Sequence, residues 1–297
     1  MTMLALEIGA AGFAVSRLDD DVDDDDVLRA PAPSRGAWKQ CREMLLAAAA
    51  GQEVTAVGIG SSGPIDMSAG VIAPGDIAEW QAGFGIVDEM RKLFPAAEVR
   101  LGIDGVCISL AERNFGAVGQ TMDALSISVS HHVTGGVSVG GFAVVGRTGN
   151  AGSIGHVLVP GFDDPCDCGG RGCVDAVAGG VAAVRWARGQ GWGGTTPAEL
   201  VDAASAGDES ALAALVRAGT ALGRAISSVA ALMDLDLVVV GGLLAQPGSA
   251  LWQPMQEAVA THARVSYLHG LRVVPSPLGE FGVLAGAGVL AVTAAQD

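Results

Sequence analysis

The sequence predicts an α/β protein made of two lobes of similar design, and two observations carry that prediction. One order of elements, a three-strand meander followed by alternating helices and strands, is written twice along the 297 residues. That length allows two units that each bury a sizeable core. Half of the residues are hydrophobic and 16% are charged, which is the balance of a packed globular chain rather than a disordered one. Duplicated halves leave a cleft between them, where ligands tend to bind.

The elements follow in order. Met3 to Gly9 and Gly12 to Leu18 read as two strands joined by Gly9-Ala10-Ala11-Gly12, with a third strand at Val27 to Ala30. Pro31 and Pro33 break the run, and Ala37 to Ala50 then reads as a helix stopped by Gly51. Val54 to Gly60 is a buried strand, a helix spans about Phe84 to Phe94, and Glu98 to Ile103 is the next strand. A helix from Gly105 to Phe115 closes the first lobe. The second meander is expected at Ala124 to Val129, Gly136 to Val139 and Phe142 to Val145. Further on, Thr196, Pro197 and Glu199 form a capping box that marks a helix start. A long apolar helix from about Asp208 to Met233 precedes the strand Leu237 to Val240, a helix near Ala250 to Ala263, the strand Leu271 to Val274 and a last helix from Gly282.

Charge excludes some functions. The net charge is −15, and a protein that binds nucleic acid unaided needs a basic face, so no nucleic-acid partner is expected. Asp234 and Asp236 interrupt the most apolar region, so no membrane span is expected. MTMLALEIG lacks the basic start and cleavage site of a signal peptide, which places the protein in the cytoplasm. Much of the charge lies in DDDVDDDD at Asp19 to Asp26, seven carboxylates in eight residues without calcium-loop spacing. Such dense like charge reads as a solvated hairpin tip.

The most chemically loaded stretch is Gly155 to Cys173, GHVLVPGFDDPCDCGGRGC. His156, Cys166, Cys168 and Cys173 offer four ligands in eighteen residues, the set that closes a tetrahedral structural zinc site. Gly169, Gly170 and Gly172 let the chain bend so that the thiols converge. Separate buried cysteines or a disulfide would be the competing readings, and nothing in the sequence argues for an oxidising compartment. Cys41 and Cys107, on expected helices among apolar neighbours, read as buried thiols.

This stretch resembles the signature of the ROK family (repressors, open reading frames and kinases), a G-H followed by C-x-C-G-x-x-G-C. The resemblance extends over nearly the whole chain. It implies the duplicated fold of the actin and hexokinase superfamily, ribonuclease H-like in each half. It places a small lobe at residues 1–115, a large lobe at 116–281 containing the zinc loop, and a final helix, 282–297, packing back on the small lobe. It also implies a sugar kinase using ATP with Mg2+, a structural Zn2+ and a homodimer.

Residue by residue, the resemblance makes Asp104 the general base, at the end of a strand and before a helix carrying Glu112. Read from the residues alone, Asp104 would serve equally as a helix N-cap. The sugar side comprises Asp76, Ile103, Asp104, Ser153, His156 and Asp175. Ile103 stands where the family has Asn, Ser153 where it has Glu, and Asp175 where it usually has Glu. The nucleotide side comprises Glu7, Gly9 and Ala11 in the first loop, Thr134 and Gly135 in the second, and Gly241 and Gly242 after a strand. Glycines in the second loop are expected to supply positive φ for close approach to phosphate. There His131 and His132 replace the family's Thr and Gly.

Three function classes follow. A glucokinase-like transfer of phosphoryl from ATP to a hexose hydroxyl ranks first. A degraded paralogue that senses sugar or acts as a scaffold is the alternative, because the phosphate loops depart from the family pattern. Transcriptional repression ranks last, since no basic helix-turn-helix segment is evident.

Overall fold

A computed structural model describes residues 1–18 and 27–295, so the expected acidic hairpin tip lies outside the described residues. The chain divides into two compact units. One comprises Met1–Ala111, Val145–Ala151 and Phe281–Asp297, and the other Glu112–Val144 and Gly152–Glu280.

The first unit is built on a five-stranded sheet. β1 (Thr2–Gly9), β2 (Gly12–Leu18) and β3 (Leu28–Ala30) form the antiparallel meander, and β4 (Val54–Ser61) and β7 (Glu98–Ile103) add parallel to β1. The sheet order is β3-β2-β1-β4-β7. β4 is buried along nearly its whole length, as a parallel strand covered on both faces must be. α1 (Ala37–Ala49) buries Ala37, Cys41, Leu45 and Ala49, spaced four residues apart on one face. Its N-cap, Gly36, has no side chain to satisfy the first amides. Glu79 does so from a distant turn, accepting from Gly36 N at 3.0 Å and Ala37 N at 2.9 Å. Those two amides hold its carboxyl below the usual range. A short hairpin, β5 (Ile65–Asp66) with β6 (Val71–Ile72), precedes α2 (Ile86–Leu93).

The apolar helix α9 (Gly282–Ala294) packs on β1, β4 and β7. Gly58 of β4 makes that approach possible, because a Cβ there would meet Ala291 N at 2.7 Å. α3 (Asp104–Asn114) starts directly at the end of β7, and the division between units falls inside it.

The second unit repeats the plan. β8 (Ala124–Val129), β9 (Val133–Val139), β10 (Phe142–Ala143), β11 (Leu237–Gly241) and β12 (Arg272–Pro275) form a sheet of order β10-β9-β8-β11-β12. Its first three strands are antiparallel and its last two join parallel to β8, matching the other unit. Against it pack α4 (Val174–Ala178), α5 (Gly180–Gly189), α6 (Pro197–Ser205), α7 (Glu209–Met233) and α8 (Trp252–His262). The Thr196–Glu199 capping box forms as predicted. α7 is capped by Asp208, whose carboxylate accepts from Ala211 N at 2.9 Å. Its buried stripe of Ala214, Leu215, Ala218, Leu222, Ala225 and Ile226 follows the helical period, and Gly219 and Gly223 let α8 approach closely, since a Cβ at Gly223 would meet Ala258 Cβ at 2.7 Å.

Two expectations need correction. β9 begins at Val133 rather than Gly136, so Thr134 and Gly135 are ladder residues opposite Ser128 and Ile127. Neither Gly135 nor Gly136 has a positive φ. Gly135 passes so near β8 that a Cβ would meet Ser126 O at 2.7 Å, and that crowding explains the glycine.

Candidate active site

In the first unit the C-terminal ends of three parallel strands lie side by side, the edge where α/β sheets gather ligand-binding groups. Glu7 of β1 pairs in register with Gly60 of β4, which pairs with Gly102 of β7. The strand order therefore brings Glu7, Gly9 and Asp104 to one edge. Asp104 Oδ1 accepts from the adjacent Gly105 N at 2.7 Å. Cys107, one turn into α3, senses both acids. Its thiol is pushed up by burial first, and then by the negative charges of Asp104 and Glu7. Ile103 is 5% exposed, Ala11 is exposed in the β1–β2 turn, and Asp76 is exposed ahead of the single-turn helix Ala78–Trp80.

In the second unit the expected phosphate-side groups gather at the turn Ser130–His132. Its backbone is committed to the start of α5: Gly180 N donates to Ser130 O at 2.9 Å and Val181 N to His131 O at 3.0 Å. The Ser130 hydroxyl accepts from Leu243 N at 3.0 Å and donates to Glu280 Oε1. Gly242, with φ near 92°, tucks under this turn, where a Cβ would meet Val129 N at 2.6 Å and Ser128 Oγ at 2.8 Å. Thr134, Gly135, Gly241 and Gly242 are thus brought around one turn. Glu112, 2% exposed, has both oxygens occupied, one by Ala117 N at 2.9 Å and the other by the Ser276 hydroxyl.

The cysteine loop folds as two arms. Val159 N bonds Gly172 O at 2.8 Å and Gly172 N bonds Asp164 O at 2.9 Å. α7 holds one arm through Arg217, paired with Asp164 at 2.6 Å, and Arg224, which donates to Pro160 O at 2.7 Å. Both guanidiniums also lie over the Phe162 ring. Donor atoms of His156, Cys166, Cys168 and Cys173 all fall within 4.8 Å of one another. Cys168 Sγ and Cys173 Sγ are 3.8 Å apart and all five cysteines are free thiols. A tetrahedron with zinc–sulfur bonds of about 2.3 Å has edges of about 3.8 Å, so this donor set fits zinc. Burial pushes the Cys173 thiol up to about 12, whereas the Gly170 amide, followed by Cys166, pulls Cys168 down.

One pairing was not legible in the sequence. Asp175, expected on the sugar side, accepts from Val133 N at 2.7 Å through Oδ1 and meets His132 Nδ1 at 3.1 Å through Oδ2. A Cβ added at Gly155, beside His156, would meet the Asp175 Cβ at 3.5 Å. Ser153 is exposed at the head of the turn Ile154–His156.

A family model described as "ROK family" matches residues 3–294. The chain belongs to the ROK family. Among its curated relatives, glucokinase of Thermotoga maritima is 31% identical over 85% of this chain and 84% of its own. N-acetylmannosamine kinase of Escherichia fergusonii is 32% identical over 82% and 83%. The crystal structure of ROK hexokinase from Thermus thermophilus superposes with a TM-score of 0.79 at 28% identity, covering 100% of both chains. Among the described residues no helix is long and apolar enough to cross a membrane.

Proposed function

We propose that this ROK protein is an ATP-dependent kinase of a neutral hexose or N-acyl hexosamine, with Asp104 as the general base. The observation that carries the reading is the gathering of Asp104 and Glu7 at the C-terminal edge of one parallel sheet, in a chain about 30% identical to glucokinase and N-acetylmannosamine kinase. In the reaction a sugar hydroxyl oxygen bonds to the γ-phosphorus, the bond to the ADP oxygen breaks, and Asp104 takes the hydroxyl proton. Glu7 would help to hold the magnesium that accompanies ATP, an ion that would neutralise phosphate charge. Ser130–His132, Thr134 and Gly135 face the phosphates, with Gly241 and Gly242 on the adenosine side. His156 and Asp175 border the sugar. His156, Cys166, Cys168 and Cys173 would hold zinc, which would fix the loop that carries His156.

A second reading, a sugar-binding sensor without efficient transfer, draws on the Ser130–His132 turn, where His131 and His132 stand in place of the small residues of the family's phosphate loop. A coupled ADP-release assay over hexoses and N-acyl hexosamines tests the choice. Sugar-dependent ADP release is expected for at least one member. ADP release with none, beside calorimetric sugar binding, would transfer the assignment to the sensor.

A further inference from the structure

We infer that Arg217 and Arg224 of α7 are positioning residues for the cysteine loop, holding the arm 160–164 so that Cys166 and Cys173 stand at ligand distance before a metal arrives. The inference rests on the zinc reading of His156, Cys166, Cys168 and Cys173, and names what shapes that site. α7 is 25 residues long and carries only three charged side chains, Glu209, Arg217 and Arg224. The spacing of the two arginines puts them two turns apart on one helix face. Both reach the same arm. Arg217 Nη2 donates to Asp164 Oδ2 at 2.6 Å, and Arg224 Nη1 donates to Pro160 O at 2.7 Å. Between these anchors the Phe162 ring lies 5.0 Å from the Arg217 guanidinium carbon and 5.5 Å from that of Arg224. Trp186 of α5 offers Arg217 a second ring at 5.6 Å.

The arm so anchored is bonded directly to the segment that carries Cys173. Val159 N donates to Gly172 O at 2.8 Å, and Gly172 N donates to Asp164 O at 2.9 Å. The two segments pass so closely that a Cβ at Gly172 would meet Phe162 O at 2.7 Å. Asp164 stands just ahead of Cys166 and Gly172 next to Cys173, so two of the donors are framed by bonds that involve no metal. The loop's other ion pair, Arg171 with Asp163 at 2.9 Å, is 58% and 79% exposed, against 18% and 26% for Arg217 and Asp164. A shielded pair is screened less by salt and costs more to break than an exposed one. Arg217 Nη1 and Arg224 Nε are buried without a hydrogen-bond partner among the described residues, and aromatic rings are what these guanidiniums lie against. A planar, weakly hydrated guanidinium suits that setting better than an ammonium does. A loop held in place beforehand loses less freedom when the metal enters, so the arginines should raise zinc affinity without being ligands.

A double-mutant cycle of Arg217→Met, Asp164→Asn and the double variant tests this, read by zinc affinity in competition with a chromophoric chelator. Asp164→Asn changes no residue of α7, which keeps the test independent of that helix's stability. Each single variant should weaken zinc binding about 10- to 100-fold, the range for residues that orient metal ligands, and the double variant no more than either. Asp163→Asn should stay within about threefold, because an exposed pair contributes little. Amide exchange supplies a second readout. In wild type stripped of metal, the amides of Val159 and Gly172 should stay protected while those of Cys166 and Gly169 open; in stripped Arg217→Met all four should open. Unchanged zinc affinity in variants whose Tm falls would make the arginines props of the fold and overturn the inference. Additive losses in the cycle, an equal loss in Asp163→Asn, or exchange of Val159 and Gly172 as soon as the wild type is stripped would also overturn it. Each of those results leaves the zinc reading intact. A wild type that binds no zinc would instead sink the zinc reading, and the inference with it.

Discussion

Replacing Asp104 with Asn separates chemistry from structure at the point where the two are most easily confused. The Asp104 side chain accepts from Gly105 N at 2.7 Å, and an Asn Oδ1 can accept the same bond. What the amide cannot do is take a proton from a hydroxyl. The stability change should therefore stay within about 0.5 kcal/mol, the range of a substitution that leaves no group unsatisfied. The expected shift in Tm is below about 2 °C. Loss of a general base costs about 100- to 10,000-fold in rate, equivalent to about 3–5.5 kcal/mol of barrier. Coupled ADP release would measure the rate, calorimetry the sugar affinity, and scanning calorimetry the Tm. Activity within about tenfold of wild type would refute the assignment, since a base contributes more than that. A collapse of Tm with activity per folded molecule retained would instead make Asp104 a structural residue.

Three further outcomes are expected. Purified protein should carry one zinc per chain, and Cys168→Ser should lower both zinc content and Tm; metal analysis finding none would refute the site formed by His156, Cys166, Cys168 and Cys173. Ile103→Asn combined with Ser153→Glu should tighten sugar binding in calorimetry by restoring two polar contacts, and unchanged affinity would show that these positions do not face the sugar. Glu199 is held below the ordinary carboxylate range by the Thr195 and Thr196 amides, so its contribution to stability is complete above about pH 4.3, the unfolded value, and is lost as pH falls through the lower folded value. Acid melts of wild type and Glu199→Gln should therefore differ near neutrality and converge at low pH; a constant gap would contradict the capping role.

What the sequence revealed and what it hid differ in range. Both meanders, the capping box at Thr196 and the run of α7 announce themselves within a few residues, through periodicity and local hydrogen-bonding chemistry. The convergence of His156 with three cysteines was legible for the same reason: ligand type, spacing and turn glycines lie in one segment. Thr134 and Gly135 were misread because a strand containing paired glycines looks like a loop, and the need for close passage past Ser126 appears only with the neighbouring strand in place. The β5–β6 hairpin was missed because two-residue strands have no period to detect. The caps and pairs that reach across the fold, Glu79 to the start of α1 and His132 to Asp175, leave no local mark.

The central claim, transfer of phosphoryl from ATP to a sugar hydroxyl with Asp104 as base, is tested most directly by following the phosphorus. Phosphorus NMR of the protein with Mg-ATP and each sugar of the panel should show a new sugar phosphomonoester signal rising in step with ADP, and none with Asp104→Asn. ADP accompanied only by inorganic phosphate, or a sugar phosphate formed equally by Asp104→Asn, would contradict the account.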